Sequence, residues 1–154
     1  MKRKKIAGVV LTTLLISVFR LLSPGQAFCG GYFLVDGIGL EGKLEIGRSA
    51  PKEVRSADAQ GWSSMDGMPL DFKTTGDNRV AVIRCASHCL TNRGIAIGSS
   101  VKEVLLTYST PDEEKVVNDG KKVLIYKGVG FLLDQKESFV EGIYIFPSGI
   151  QTKK

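Results

Sequence analysis

Two segments of the chain resemble each other, and an internal repeat constrains the fold more than any other feature of this sequence. Residues 44–54 and residues 95–104 each contain two apolar residues separated by one position, then a Gly, a Ser and a Lys-Glu-Val sequence. A second pair of blocks follows in the same order, because residues 69–83 and 130–145 both contain an apolar run, a polar turn and another apolar run. Two matched pairs in one order predict a duplicated supersecondary unit.

The second copy predicts a short helix. Ser100 and Glu103 have the spacing of a capping box, in which the Ser hydroxyl accepts a hydrogen bond from a free backbone amide and the Glu carboxylate reaches back to the helix start. The apolar residues that follow the helical spacing i, i+3, i+4 and i+7 are Val101, Val104, Leu105 and Tyr108. Pro111 ends the helix, because the residue before a proline disfavours helical backbone.

Apolar runs bounded by polar turns predict strands in both halves. In the second half these strands are 122–127, 130–134 and 140–146. In the first half we expect a short helix near 51–57 and strands near 70–73 and 79–85. The predicted fold class is therefore α+β, with two related halves, 28–92 and 93–154, each a short helix packed on an antiparallel β-meander.

The alternation of side chains in the last strand predicts two different sheet faces. Ile143 and Ile145 point one way, whereas Tyr144 and Phe146 point the other way. If the helix packs on the isoleucine face, an aromatic face of Tyr126, Tyr144 and Phe146 remains, and Trp62 in a loop of the first half fits the same surface. This face is either core between the two halves or a surface that binds a partner through aromatic side chains.

The first 27 residues have the organisation of a signal peptide. A basic head, Met1–Lys5, precedes an apolar run over Ile6–Phe19, and Gly25 and Ala27 are the small residues expected at −3 and −1 of a cleavage site. The run is shorter than the roughly 20 apolar residues that a spanning helix needs, which favours cleavage after Ala27 over a retained membrane anchor. Lipidation at Cys29 is a third reading, opposed by the bulky residue that precedes this cysteine.

The charge of the chain is concentrated in this leader. Five of the 21 Lys and Arg residues, and none of the 16 Asp and Glu residues, precede position 28. The remaining cations and acids balance, so the net charge of +5 indicates targeting and not a nucleic-acid partner. No other apolar run approaches spanning length, and we expect a periplasmic or secreted protein without membrane association once the signal is removed.

A cysteine–histidine cluster is the one local group of residues with chemical potential. In an exported protein a disulfide between Cys85 and Cys89 is the default expectation, and Cys29 could instead pair with either of them. The alternative is a redox or metal site that uses both thiolates and His88. A fourth ligand with suitable spacing is missing from the sequence, so we predict no metal and no cofactor. The acidic run at 112–114 is interpreted as a solvated loop.

The second half also resembles a known group of exported proteins. The residues that carry the resemblance are Thr91–Val104, followed by Tyr108–Pro111 and the strands up to Phe146. This pattern is similar to β-lactamase-inhibitor-like modules and, more distantly, to the SmpA/OmlA lipoproteins of outer-membrane assembly. The resemblance implies a module that binds proteins or stabilises envelope complexes and is not an enzyme.

These observations lead to one functional hypothesis and one alternative. The chain is predicted to be an exported, non-enzymatic module that binds another extracytoplasmic protein or supports an envelope assembly through the aromatic face. The alternative is a redox or metal-handling protein centred on Cys85, His88 and Cys89. His88 has no acid nearby in the sequence that would orient it as a general base, which argues against an enzyme.

Overall fold

The computed structural model describes residues 31–149, apart from Glu53, Ser56 and Asn118. The predicted signal peptide and Cys29 lie outside the described residues. Within these residues, no helix has both the length and the apolar composition that crossing a membrane requires.

Most of the described chain is β-structure. The elements in chain order are β1 (Tyr32–Leu34), β2 (Gly39–Leu40), β3 (Leu44–Glu45), β4 (Val54–Arg55), β5 (Ser63–Met65), β6 (Leu70–Thr74), β7 (Val80–Cys85), β8 (Cys89–Thr91), α1 (Val101–Tyr108), β9 (Glu113–Val116), β10 (Lys122–Tyr126), β11 (Val129–Leu133) and β12 (Val140–Ile145). Eight of these strands form one antiparallel sheet in the order β4-β5-β6-β7-β12-β11-β10-β9. Strands β4–β7 and strands β9–β12 therefore lie side by side in a single layer, joined where β7 pairs with β12.

The predicted fold class is wrong, because the first half contains a strand where a helix was expected. Among the described residues α1 is the single helix, and Val54–Arg55 forms the edge strand β4. Ser49 and Glu53 are four residues apart, one more than a capping box allows. Val54 also lacks an apolar partner at i+4, where Asp58 stands, so no apolar stripe could bind a helix here to the sheet. The molecule is a mainly β structure and not two helix-plus-meander halves.

The second-half helix has the predicted start and end. The Ser100 side chain accepts a hydrogen bond from the backbone N–H of Glu103 at 3.3 Å, and the Glu103 carboxylate accepts one from the backbone N–H of Ser100 at 2.6 Å. Val104 and Tyr108 are the buried positions of the helix. The capping box is therefore confirmed, whereas the predicted apolar stripe is confirmed at Val104 and Tyr108 and not at Leu105, which is exposed.

The five predicted strands are confirmed to within two residues, as β6, β7, β10, β11 and β12. The acidic run at 112–114, interpreted as a solvated loop, instead enters strand β9 at Glu113. Charged side chains are common on the edge strands of sheets, because they discourage pairing with other chains. The charged residues of β9 are therefore those of an edge strand, and their polarity is the reason that the sequence was interpreted as a loop.

One face of the large sheet forms the core. Helix α1 packs on this face through Tyr108, whose ring lies 5.1 Å from the rings of both Tyr126 and Phe131. The short strands β1, β2, β3 and β8 contribute further core residues, including Leu34, Leu44 and Cys89. At Gly39 (φ +106°) the backbone approaches the sheet so closely that a Cβ would lie 2.4 Å from a methyl carbon of Ile83. We call this covered side of the large sheet the core face.

A polar network ties the helix to the segment that follows β1. The Tyr108 hydroxyl donates to the carboxylate of Asp36 at 3.0 Å, and the Arg93 guanidinium lies 3.5 Å from the same carboxylate. Burial raises the pKa of Asp36, although the Tyr108 hydrogen bond and the Arg93 charge oppose this shift. Burial also raises the pKa of Tyr108, so this hydroxyl stays a hydrogen-bond donor.

The raised pKa of Asp36 predicts a specific pH dependence of stability. In the unfolded chain Asp36 titrates near its ordinary pKa of 3.8, so above that pH the folded state retains its proton longer than the unfolded state. Relative to an Asp36→Asn variant, the wild-type chain should therefore lose stability as the pH rises from the ordinary Asp pKa of 3.8 towards neutral pH. The measurement is the free energy of urea unfolding of both chains across that range.

Asp134 provides the matched control with the opposite sign. Hydrogen bonds from the backbone N–H groups of Phe139 and Ser138 lower its pKa. Relative to Asp134→Asn, the wild-type chain should lose stability as the pH falls through the acidic range. Equal slopes for the two comparisons would contradict the assignment of Asp36 as the buried acid.

Candidate functional site

Three of the four predicted binding residues lie together on the side of the sheet opposite the core face. Trp62, Tyr144 and Phe146 are all partly exposed. The register places Ser64, Asp71, Arg84 and Tyr144 in one row across four neighbouring strands. Among the described residues helix α1 lies only on the core face, so we call this second side the open face.

Trp62 forms the centre of a cluster that combines aromatic and cationic side chains. Its ring lies 6.2 Å from the ring of Tyr144. The Lys73 ammonium lies 4.8 Å from its centroid and the Arg84 guanidinium lies 4.4 Å from it. Cations at these distances are attracted to the electron-rich face of the indole, so this aromatic ring is held in place without being buried.

An ion pair positions one of the two cations. The Arg84 guanidinium donates two hydrogen bonds, at 2.7 and 3.1 Å, to one carboxylate oxygen of Asp71, whose other oxygen accepts a hydrogen bond from the Ser64 hydroxyl at 2.6 Å. All three side chains are partly buried, which reduces screening by solvent. Asp71 thus fixes the guanidinium over Trp62.

Next to this cluster the open face carries an apolar groove of about 250 Å³. Its lining residues are Val82, Lys115, Val117, Val123, Ile125, Tyr144 and Phe146. Gly130 explains the depression, because it pairs with Tyr144 on one side and with Ile125 on the other and has no side chain to fill the space between them. A Cβ there would lie 3.2 Å from the Phe146 ring. We call this depression the groove.

The fourth predicted binding residue, Tyr126, lies on the core face and was assigned to the wrong side. Tyr126 pairs with Val129, which in turn pairs with Ile145, so it shares the isoleucine side and not the side of Tyr144. It is 5 % exposed, and its hydroxyl donates to the Ser109 carbonyl at 3.2 Å. The turn that sets this register has two residues and contains Gly128 at φ +84°.

Sequence reasoning did not single out Lys73, Asp71, Arg84 and Gly130. Asp71 and Lys73 alternate with buried residues in β6, and Arg84 lies between two buried residues in β7, which is the pattern of a face that meets solvent. Gly130 appeared only as part of an apolar run. Its role depends on which residues flank it across the sheet, and no local pattern contains that information.

The cysteine pair lies away from the open face. Cys85 and Cys89 are within disulfide-bonding distance, with Cα atoms 6.4 Å apart, and both side chains are fully buried. His88 between them is exposed and adopts φ +55°. In residues 31–149, outside the three gaps, no three His, Cys, Asp or Glu side chains converge on a common point. Burial of both sulfur atoms favours a structural staple between β7 and β8.

Comparisons with known proteins add nothing to this geometry. No protein-family model matches the chain, and neither the curated proteins nor the solved structures give a match. The resemblance drawn from residues 91–146 stays a prediction.

The two tyrosines provide a test of the face assignment. Tyr126→Ala removes a core ring that packs on Tyr108 and Phe131, and should lower the free energy of unfolding by about 3–5 kcal/mol. Tyr144→Ala removes a partly exposed ring and should cost only about 1 kcal/mol. Chemical denaturation of both variants measures this difference. Comparable losses would show that the two rings share one environment.

The cysteine pair yields a second test. Tryptic digestion without reduction should give the single peptide 85–93 with the mass of two hydrogen atoms missing relative to its reduced form. A Cys85→Ala/Cys89→Ala double variant should lose about 2 kcal/mol of stability through the five-residue loop that the bridge closes. A cross-link from Cys29 to either residue, or two free thiols with bound zinc, would contradict the assignment.

Proposed function

We propose that the protein is an exported, non-enzymatic module that binds another extracytoplasmic protein through its open face. The observation that carries the proposal is the adjacent placement of Trp62, Tyr144 and Phe146 beside the groove. Tyr and Trp contribute a disproportionate share of the binding energy of protein interfaces, since they bury a large area and lose little side-chain entropy.

The physical state of these side chains also supports binding. Trp62 is held by Lys73 and Arg84, and the Phe146 ring lies close over Gly130, so neither ring has to be ordered when a partner arrives. Pre-organised side chains reduce the entropy that association costs. The continuous single layer of eight strands leaves this face uncovered by any described helix.

The proposed location rests on the leader and the cysteines. A basic head, an apolar run and small residues before position 28 are the features that export machinery reads. A cysteine pair at disulfide distance fits an oxidising compartment outside the cytoplasm. The resemblance to β-lactamase-inhibitor-like modules, whose function is binding, points to the same role.

Site-specific photo-cross-linking in the native cell tests this proposal. A benzoylphenylalanine at position 144 should give a discrete cross-linked product with a second extracytoplasmic protein. Position 106 is the matched control, because Leu106 lies on the helix side of the sheet and is 75 % exposed. The control should give no such product, and Trp62→Ala should reduce the product from position 144 several-fold.

Other outcomes would contradict the proposal. A product of twice the mass of the chain would identify a second copy as the occupant of the open face. A cross-link from position 106 and none from position 144 would move the interaction to the helix side. Mass spectrometry of the excised product distinguishes these cases.

A further inference from the structure

Resting on the proposed function, we infer that the open face binds an extended segment of its partner that carries an acidic residue about four positions from an apolar anchor. The acidic side chain meets Lys73, and the anchor enters the groove. The inference depends on the charges that remain unpaired on the open face and on the spacing of the strands between Lys73 and Gly130.

Among the described residues of the open face, Lys73 is a cation without an acidic partner. Arg84 is paired with Asp71 at 2.7 Å, and Lys115 is paired with Glu113 at 3.2 Å. Across the described part of the chain, no carboxylate lies within 4 Å of the Lys73 ammonium, which is held near Trp62. A ligand carboxylate there would gain a charge-assisted hydrogen bond without displacing an existing ion pair.

The other end of the site is apolar. Its walls are the aliphatic side chains of Val82, Val123 and Ile125 and the rings of Tyr144 and Phe146. A side chain of the size of Leu or Phe fits the volume of about 250 Å³ and removes apolar surface from water. The residue that pairs with Lys73 across the sheet is Val82, which is part of the groove wall, so the two parts of the site are continuous.

The sheet sets the distance between the two parts. Lys73 lies on β6 and the groove floor, Gly130, lies on β11, which is three strands away in the order β6-β7-β12-β11. Three strand spacings amount to about 14 Å, which an extended chain covers in about four residues. The segment therefore crosses the strands, with its acidic residue over β6 and its anchor over β11.

Trp62 makes the binding measurable, because it is the single tryptophan of the chain and its ring lies near both Lys73 and the groove residue Tyr144. A random eight-residue peptide library displayed on phage is selected on the full chain, and the selected sequences are then synthesised. We expect an Asp or Glu about four positions from a large apolar residue in the enriched peptides. Titration of the full chain with these peptides should change the fluorescence of Trp62.

Charge reversal is the decisive variant. Lys73→Glu should weaken binding of the acidic peptides about tenfold, and a peptide with Lys in place of its acidic residue should regain affinity for this variant. Lys102→Glu is the matched control, because it makes the same charge change at an exposed position of helix α1. It should leave the affinity unchanged.

The groove is tested with two variants, so that a failure of one to fold does not end the test. Gly130→Leu fills the depression, and Phe146→Ala removes part of its wall. Each variant should lower the affinity for peptides that carry the apolar anchor more than the affinity for peptides in which Ser replaces the anchor. Circular dichroism and urea unfolding identify any variant that has lost the fold.

The outcomes separate this inference from the proposed function. One outcome is a set of peptides that change the fluorescence of Trp62 and lose affinity with Tyr144→Ala, yet bind the Lys73→Glu variant as tightly as the wild-type chain. That result would overturn the acidic specificity and leave the open face as a binding surface. Peptides whose affinity, measured by isothermal titration calorimetry, is indifferent to Trp62→Phe, Tyr144→Ala and Phe146→Ala would overturn both.

Discussion

The pairing of β7 with β12 is the interaction on which the rest of the structure depends. It places Cys85 opposite Ile143 and Ile83 opposite Ile145, and these four side chains are fully buried on the core face. The residues between them, Arg84 and Tyr144, face each other on the open face. A shift of one residue would exchange the two sets, exposing isoleucines and burying an arginine. The same register that forms the core therefore also forms the candidate site.

The side chains of the open face are only partly buried, and contacts with one another hold them in place. Asp71 and Ser64 hold Arg84, which together with Lys73 covers Trp62. Cation–π contacts and partly buried ion pairs keep these groups ordered while leaving polar atoms in water. Such a surface presents aromatic rings without exposing a large apolar patch, which is the usual cause of aggregation.

The sequence predicted elements whose signals are local and failed where the outcome depends on pairing. The helix at Val101–Tyr108 followed from the capping box at Ser100, and the alternation in β12 separated Tyr144 from the isoleucines. The predicted first-half helix was wrong because one extra residue separates Ser49 from Glu53. Tyr126 was misplaced because its face is set by a two-residue turn at Gly128, and local alternation does not fix the register between strands.

The candidate site is composite, and this has a thermodynamic consequence. Trp62 precedes β5 and Lys73 lies in β6, on the β7 side of the β7–β12 seam, whereas Gly130 lies in β11 and Phe146 follows β12, on the β12 side. A segment that contacts both groups binds only when the seam is formed. By linkage, such a ligand stabilises the paired sheet by an amount that grows with its concentration above its dissociation constant. If the open face binds a partner as proposed, that binding is coupled to the β7–β12 pairing, and a variant that loosens the seam should weaken it without touching any residue of the site.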